Sequence, residues 1–75
     1  MRTLKVEFGY NVSSRRKALR LTQEKLAEMC ELDRTTIGQI EAGKSNATLE
    51  TIELIANALD VHPSELLKTE TYHRG

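Results

Sequence analysis

The sequence predicts an all-α domain built from five short helices. Apolar residues recur along it at spacings of three and four, the repeat of one helix face. Thr22, Asp33 and Thr48 each stand as a candidate N-cap directly ahead of such a stretch. The only aromatic residues among the 75 are Phe8, Tyr10 and Tyr72, so little favours strands.

Residues 1–6 carry a loose alternation that continues to Phe8. It is compatible with a short strand or an ordered arm and does not choose between them, so these residues are assigned to an N-terminal arm. From about Glu7, Phe8, Val12 and Ala18/Leu19 suit one helix ending near Leu19, with Gly9 tolerated near its start. The second helix starts at Thr22, whose hydroxyl can accept a hydrogen bond from a free backbone N–H one turn ahead. Gln23 and Glu24 suit the positive end of its dipole. Leu26, Ala27, Met29 and Cys30 share one face of this helix, which runs to about Cys30. Asp33 is the next N-cap, Ile37 and Ile40 repeat at three, and Gly43 suits a left-handed position beyond the helix end. Isolated helices below roughly 12–15 residues are marginal in water, so these two must pack on each other and on the rest of the chain. The small Ala27 lets the third helix cross close by at a steep angle.

A polar loop at residues 44–47 leads to Thr48, which caps the strongest apolar stripe: Leu49, Ile52, Ile55, Ala56 and Leu59. Pro63 fits the first turn of a helix and opens a short fifth one through Leu66 and Leu67. Residues 69–75 have no hydrophobic pattern and are read as a flexible tail, which leaves residues 7–68 as the domain.

Seventy-five residues support one core, too small for a separate catalytic domain. His62 and His73 lie eleven apart without a cysteine pair, and there is no glycine-rich phosphate loop, so no metal, cofactor or enzymatic activity is expected. No small-molecule ligand is suggested. The single Cys30, on an apolar face, reads as inert filler rather than a redox sensor. Without a signal peptide, a disulfide pair or a long apolar run, the chain is expected in the cytoplasm and off the membrane.

Residues 21–44 thus hold two short helices, a break and a glycine stop. That is the anatomy of a helix-turn-helix, which lays its second helix in the major groove of DNA. A net charge of zero is low for a DNA-binding protein, but the charge is unevenly placed. Residues 1–20 carry six cations against Glu7, a net of +5, so the remainder sums to −5. A basic face and an acidic back are possible on one small domain.

The stretch LTQEKLAEMCELDRTTIGQIEAGKSNATLETIELIANALDV, followed by HPSELL, resembles the Cro and phage-repressor type of helix-turn-helix, the XRE family, over roughly residues 8–67. The carrying features are the LTQ-x-x-LA start, the I-x-x-IE-x-GK end and the TLETI-x-x-IA-x-AL helix in one order. LDRT followed by I-x-x-IE is also similar to the small controller proteins of restriction-modification systems. The resemblance implies a compact five-helix bundle of the lambda-repressor-like type, acting as a homodimer on a roughly palindromic double-stranded DNA operator. Its recognition helix would span about residues 33–42, with half-sites about 10 base pairs apart.

The family pattern places Gln23 on a backbone phosphate and against the recognition helix. It sets Arg34, Thr35, Gly38 and Gln39 at base edges, where Arg34 can address guanine and Gln39 adenine. Thr36 is expected to reach phosphate, and Lys44, Ser45 and Asn46 to grip the backbone. Arg16 and Glu41 form a structural ion pair in this pattern, which removes Glu41 from the DNA. Val61, Leu66 and Leu67 are candidates for the dimer interface, since the last helix has more apolar surface than one small core needs. The chain departs from the family by having Arg20 and Glu31 where glycine is favoured, and Gly38 inside the recognition helix, where it costs about 1 kcal/mol relative to alanine. Zero net charge and Gly38 also suit a rival reading, a protein-interaction module or antitoxin-like subunit with weak DNA binding.

Overall fold

The computed structural model describes residues 3–69, which form α1 (Leu4–Ala18), α2 (Gln23–Cys30), α3 (Arg34–Glu41), α4 (Leu49–Leu59) and α5 (Pro63–Leu66). No strand occurs among the described residues. The helices enclose one core of Phe8, Val12, Leu26, Ala27, Cys30, Ile37, Ile40, Ile55, Ala56, Leu59 and Leu66.

Side chains start most of these helices. The hydroxyls of Thr3, Thr22 and Thr48 accept from the N–H groups of Val6, Lys25 and Thr51 at 3.4, 2.9 and 3.1 Å. At α5 the His62 ring takes that role, accepting from Ser64 N–H at 3.1 Å, with Pro63 in the first turn. Asp33 occupies the N-cap position of α3 but makes no side-chain capping bond, so its effect there is limited to its charge at the positive helix end.

The expected arm is corrected: residues 4–6 belong to α1, capped by Thr3. Leu4, Phe8 and Val12 are spaced by four and lie in register on a helix, and too few residues precede Phe8 to distinguish a period of two from one of four. Ala18 and Leu19, placed in the apolar pattern, are both exposed; Leu21 packs on the core instead. Met29 is 44% exposed and Leu49 83% exposed, so neither belongs to the buried stripe of its helix. The tail past Thr69 lies outside the described residues.

Four helix ends share one hydrogen-bonding pattern. After α1, Arg20 N–H donates to Lys17 O at 2.9 Å and Leu21 N–H to Arg16 O at 3.1 Å. The same pair of bonds recurs at Glu31/Leu32, Gly43/Lys44 and Asp60/Val61. Each first residue is left-handed, with φ of 60°, 57°, 74° and 57° in chain order. This is the Schellman motif, in which an apolar residue usually follows the left-handed one. Leu21, Leu32 and Val61 do so and pack against the core, which offsets the about 1–2 kcal/mol that a non-glycine residue gives up there. Val61, proposed for a dimer surface, is therefore partly engaged within its own chain.

Gly9 holds a closer approach than its place near a helix start suggests. A Cβ there would stand 2.1 Å from Ile40 O, a backbone atom that cannot move aside. Its missing side chain is what lets α1 pack on the end of α3. Asn11 ties the other side of α1 to α5, its amide donating to Leu66 O at 2.9 Å and Lys68 O at 2.8 Å. Gly9→Ala is expected to cost at least about 1–3 kcal/mol through overpacking, read as a lower urea midpoint with an unchanged slope.

Candidate nucleic-acid interface

Leu26, Ala27 and Cys30 of α2 bury against the same core as Ile37 and Ile40 of α3, so the two helices cross with Glu31–Asp33 as the corner. Burying Ile37 and Ile40 turns the other side of α3 outward. Arg34, Thr35 and Gln39 are exposed there, Gly38 is half-buried between them, and Ala42 continues the face one turn on. Thr36 is half-buried at the edge of this face, beside the buried side of the helix. An added Cβ at Gly38 would meet only Gln23 Oε1, at an ordinary 3.8 Å. Packing within the chain therefore does not require glycine at this position.

The end of α3 is anchored by a three-residue network. Arg16 Nε donates to Glu41 Oε2 at 2.7 Å, Arg16 Nη2 to Oε1 at 3.0 Å, and Gln23 Nε2 also to Oε1 at 3.0 Å. A further Arg16 bond, Nη1 to Leu21 O at 2.7 Å, holds the corner between α1 and α2. The Arg16 and Glu41 side chains are 11% and 6% exposed, so the pair is largely removed from water. Burial alone would push the Glu41 carboxyl up, but the bonds from Arg16 and Gln23 and the charges of Arg16 and Lys17 bring it below the ordinary glutamate value. Arg16 moves up in turn, chiefly through its bond to Glu41. Both shifts favour the ionised pair.

Gln23 thus braces α3 through its amide nitrogen, while its oxygen lies near Gly38 at the edge of the exposed face. Lys44 and Asn46 are exposed and Ser45 half-buried in the loop after Gly43. That loop rests on the first turns of α1: Val6 lies where a Gly43 Cβ would point, and Leu4, Lys5 and Phe8 line a shallow groove with Ser45 and Asn46. Gln23 therefore adjoins Gly38, with Arg34, Thr35 and Gln39 on the same outward side of α3 and Lys44 in the loop that follows that helix. Leu66, expected at a dimer interface, is instead wholly buried in the core, and Leu67 packs partly against it. The apolar excess of the last helix is used by its own domain. Gly9 and Asn11 had no sequence signal beyond their identity, because their partners are 31 or more residues away in the chain.

Cys30 is buried, its thiol directed at Leu54 O at 3.8 Å, and burial raises its pKa. No group of His, Cys, Asp or Glu among the described residues is arranged to hold a metal, and no described helix is long and apolar enough to cross a membrane.

A helix-turn-helix family model, HTH_3, matches residues 12–66. The chain belongs to this family. Control protein C.BamHI of Bacillus amyloliquefaciens is 42% identical to this HTH_3 chain over 69 residues, taking in 91% of this chain and 85% of that protein. Control protein C.SmaI of Serratia marcescens is 44% identical over 57 residues, covering 76% of this chain and 68% of that one. Among solved structures, the restriction-modification controller protein C.AhdI from Aeromonas hydrophila superposes with a TM-score of 0.81 at 42% identity, over 83% of this chain and 94% of that one.

The Glu41 network makes the stability of this HTH_3 chain pH-dependent. Glu41 titrates lower in the folded chain than at its ordinary value of 4.5, so its contribution is present in full above 4.5 and lost as pH falls through the folded value. Glu41→Gln should flatten that acid limb in thermal melts. At neutral pH it should cost about 3–5 kcal/mol, because Arg16 remains largely buried without its counter-charge.

Proposed function

We propose that this HTH_3 chain is a sequence-specific DNA-binding transcription regulator of the cytoplasm, acting as a homodimer on a roughly palindromic operator. The control of a restriction-modification locus is the role its relatives' names favour. The observation that carries the reading is the outward face of α3: Arg34, Thr35 and Gln39 stand exposed on a helix whose other side is clamped into the core. In this reading α3 enters the major groove, where Arg34 addresses guanine and Gln39 adenine, and Thr35 meets a thymine methyl or a polar edge. Gly38 and Ala42 leave the middle of that face flat, which lets the α3 backbone come close to the base edges. Gln23, Thr36, Lys44, Ser45 and Asn46 contact phosphates and set the register.

The dimer surface belongs to the C-terminal half, with Val61 and Leu67 contributing their exposed parts. Leu49 and Leu54 on α4 add the large apolar area that Leu66 does not supply. A symmetric pair would set two α3 helices about 34 Å apart, one DNA turn.

The zero net charge favours a second reading, a protein-docking module with weak DNA affinity. Selection of bound duplexes from a random pool separates the two. The regulator should return two symmetric half-sites about 10 base pairs apart, bound by a dimer in sedimentation. Arg34→Ala and Gln39→Ala should each cost about 1–3 kcal/mol and relax preference at one base position per half-site. If both leave operator affinity untouched, the assignment of α3 as the reading helix is wrong. Gly38→Ala should stabilise the free protein by up to about 1 kcal/mol in denaturant melts while weakening operator binding, since the new methyl fits the fold but occupies the approach to DNA.

A further inference from the structure

Four cations crowd the end of α1 and the corner that follows: Arg15, Arg16, Lys17 and Arg20. Two of them are engaged within the fold, Arg15 with Glu65 at 2.9 Å and Arg16 with Glu41 at 2.7 Å. Lys17 and Arg20 are exposed, and neither side chain has a hydrogen-bond or ion-pair partner among the described residues.

Their positions are set by the helices around them. Lys17 follows Val6 by eleven residues, which is three turns and about 20° of rotation, so both lie on nearly the same face of α1. Val6 uses that face to meet Gly43 at the end of α3. Lys17 is also near enough for its charge to act on Glu41. Arg20 stands three residues ahead of Gln23, at the corner from which α2 starts. Its φ of 60° is one that glycine adopts freely and arginine does not. Glu31 and Asp60, the other non-glycine residues with positive φ among those described, are both acidic, so the motif itself does not call for a cation. Among the described residues Arg20 makes no bond that a glycine would lack, since its one hydrogen bond there is donated by its backbone N–H. A glycine here would keep the same backbone bond and the same packing of Leu21 without the strain, so the arginine side chain itself is not what the turn uses.

We infer that Lys17 and Arg20 form a second phosphate clamp, gripping the DNA backbone beside the start of α2 while the loop at Lys44 grips it from the far end of α1. Val6, on which the end of α3 and the following loop rest, and Lys17 are about 16 Å apart along α1 at 1.5 Å per residue. A separation of that order is comparable to the about 12 Å width of the major groove, which is what contacts to the backbone on both of its sides require. The contacts are to phosphodiesters and carry no base preference. This inference rests on the DNA-binding reading above and adds to it the residues that supply the missing positive charge of an electrically neutral chain.

The test is a salt titration of DNA affinity by fluorescence anisotropy, using the selected operator and a scrambled duplex, with Lys17→Gln, Arg20→Gly and Arg20→Lys. Each neutralising change should lower the slope of log affinity against log salt by about 0.9 per protomer, and weaken binding to both duplexes by about eightfold per protomer near 0.1 M salt, about 60-fold for a bound dimer. Base preference should stay as in the wild type. Arg20→Gly should also raise the melting temperature by relieving the left-handed strain, a gain in stability with a loss in affinity, whereas Arg20→Lys should keep the wild-type slope. Unchanged slopes in Lys17→Gln and Arg20→Gly, with wild-type operator binding intact, overturn this inference alone. A wild-type chain with no salt-dependent affinity for either duplex overturns the DNA-binding reading and this inference together.

Discussion

The structure turns on one buried carboxylate. Glu41 sits at the end of α3 and receives bonds from Arg16 on α1 and Gln23 on α2, so a single side chain joins three helices. Each of those helices has 15 residues or fewer, and α2 and α3 have 8 each, too short to persist without tertiary support. Apolar burial holds them together but is not directional. The Glu41 bonds are directional, and they fix how far α3 projects and which way its exposed face turns. A buried pair of this kind contributes less net stability than its bond lengths suggest, because two charges lose their hydration. Its value here lies in orientation.

That constraint explains how the outward face of α3 can be polar and still held in one orientation. Ile37 and Ile40 hold one side in the core, Gly9 admits the α1 backbone against the helix end, and Glu41 pins the final turn. A recognition surface on such a helix keeps its side-chain origins in place before any partner arrives, which limits the ordering cost of binding. Gly38 is the exception to local helix preference, and the fold offers no packing reason for it. The departure lies on the outward face of α3, the one that the proposed function turns to DNA, and functional surfaces are where sequences most often set aside helix propensity.

The repeated Schellman ends show how the chain accommodates three non-glycine residues in left-handed conformation. Arg20, Glu31 and Asp60 each precede an apolar residue that packs inward, so burial of Leu21, Leu32 and Val61 compensates the backbone strain. The consequence reaches the surface, because Val61 gives part of its apolar area to this role. Leu66 gives all of it. Among the described residues of the C-terminal half, the large apolar side chains left exposed are Leu49 and Leu54, one of which looks in the sequence like a core residue.

The sequence by itself determined the number of helices, the caps at Thr22 and Thr48, the helix start at Pro63, the glycine stop at Gly43 and the exposed character of Arg34, Thr35 and Gln39. These are local properties: a hydroxyl capping a helix, a proline in a first turn and a 3.6-residue repeat depend on neighbours within a few positions. The N-terminus of α1 was not legible, because the seven residues before Phe8 are too few to separate a period of two from one of four. The positive φ of Asp60 left no local trace, since it depends on where Val61 finds the core. Burial of Leu66, exposure of Met29 and Leu49, the approach at Gly9 and the reach of Asn11 to α5 were decided only by tertiary structure. An apolar stripe says which side of a helix turns inward. It does not say which of its residues another helix will cover, because that depends on crossing points set by side chains distant in the chain.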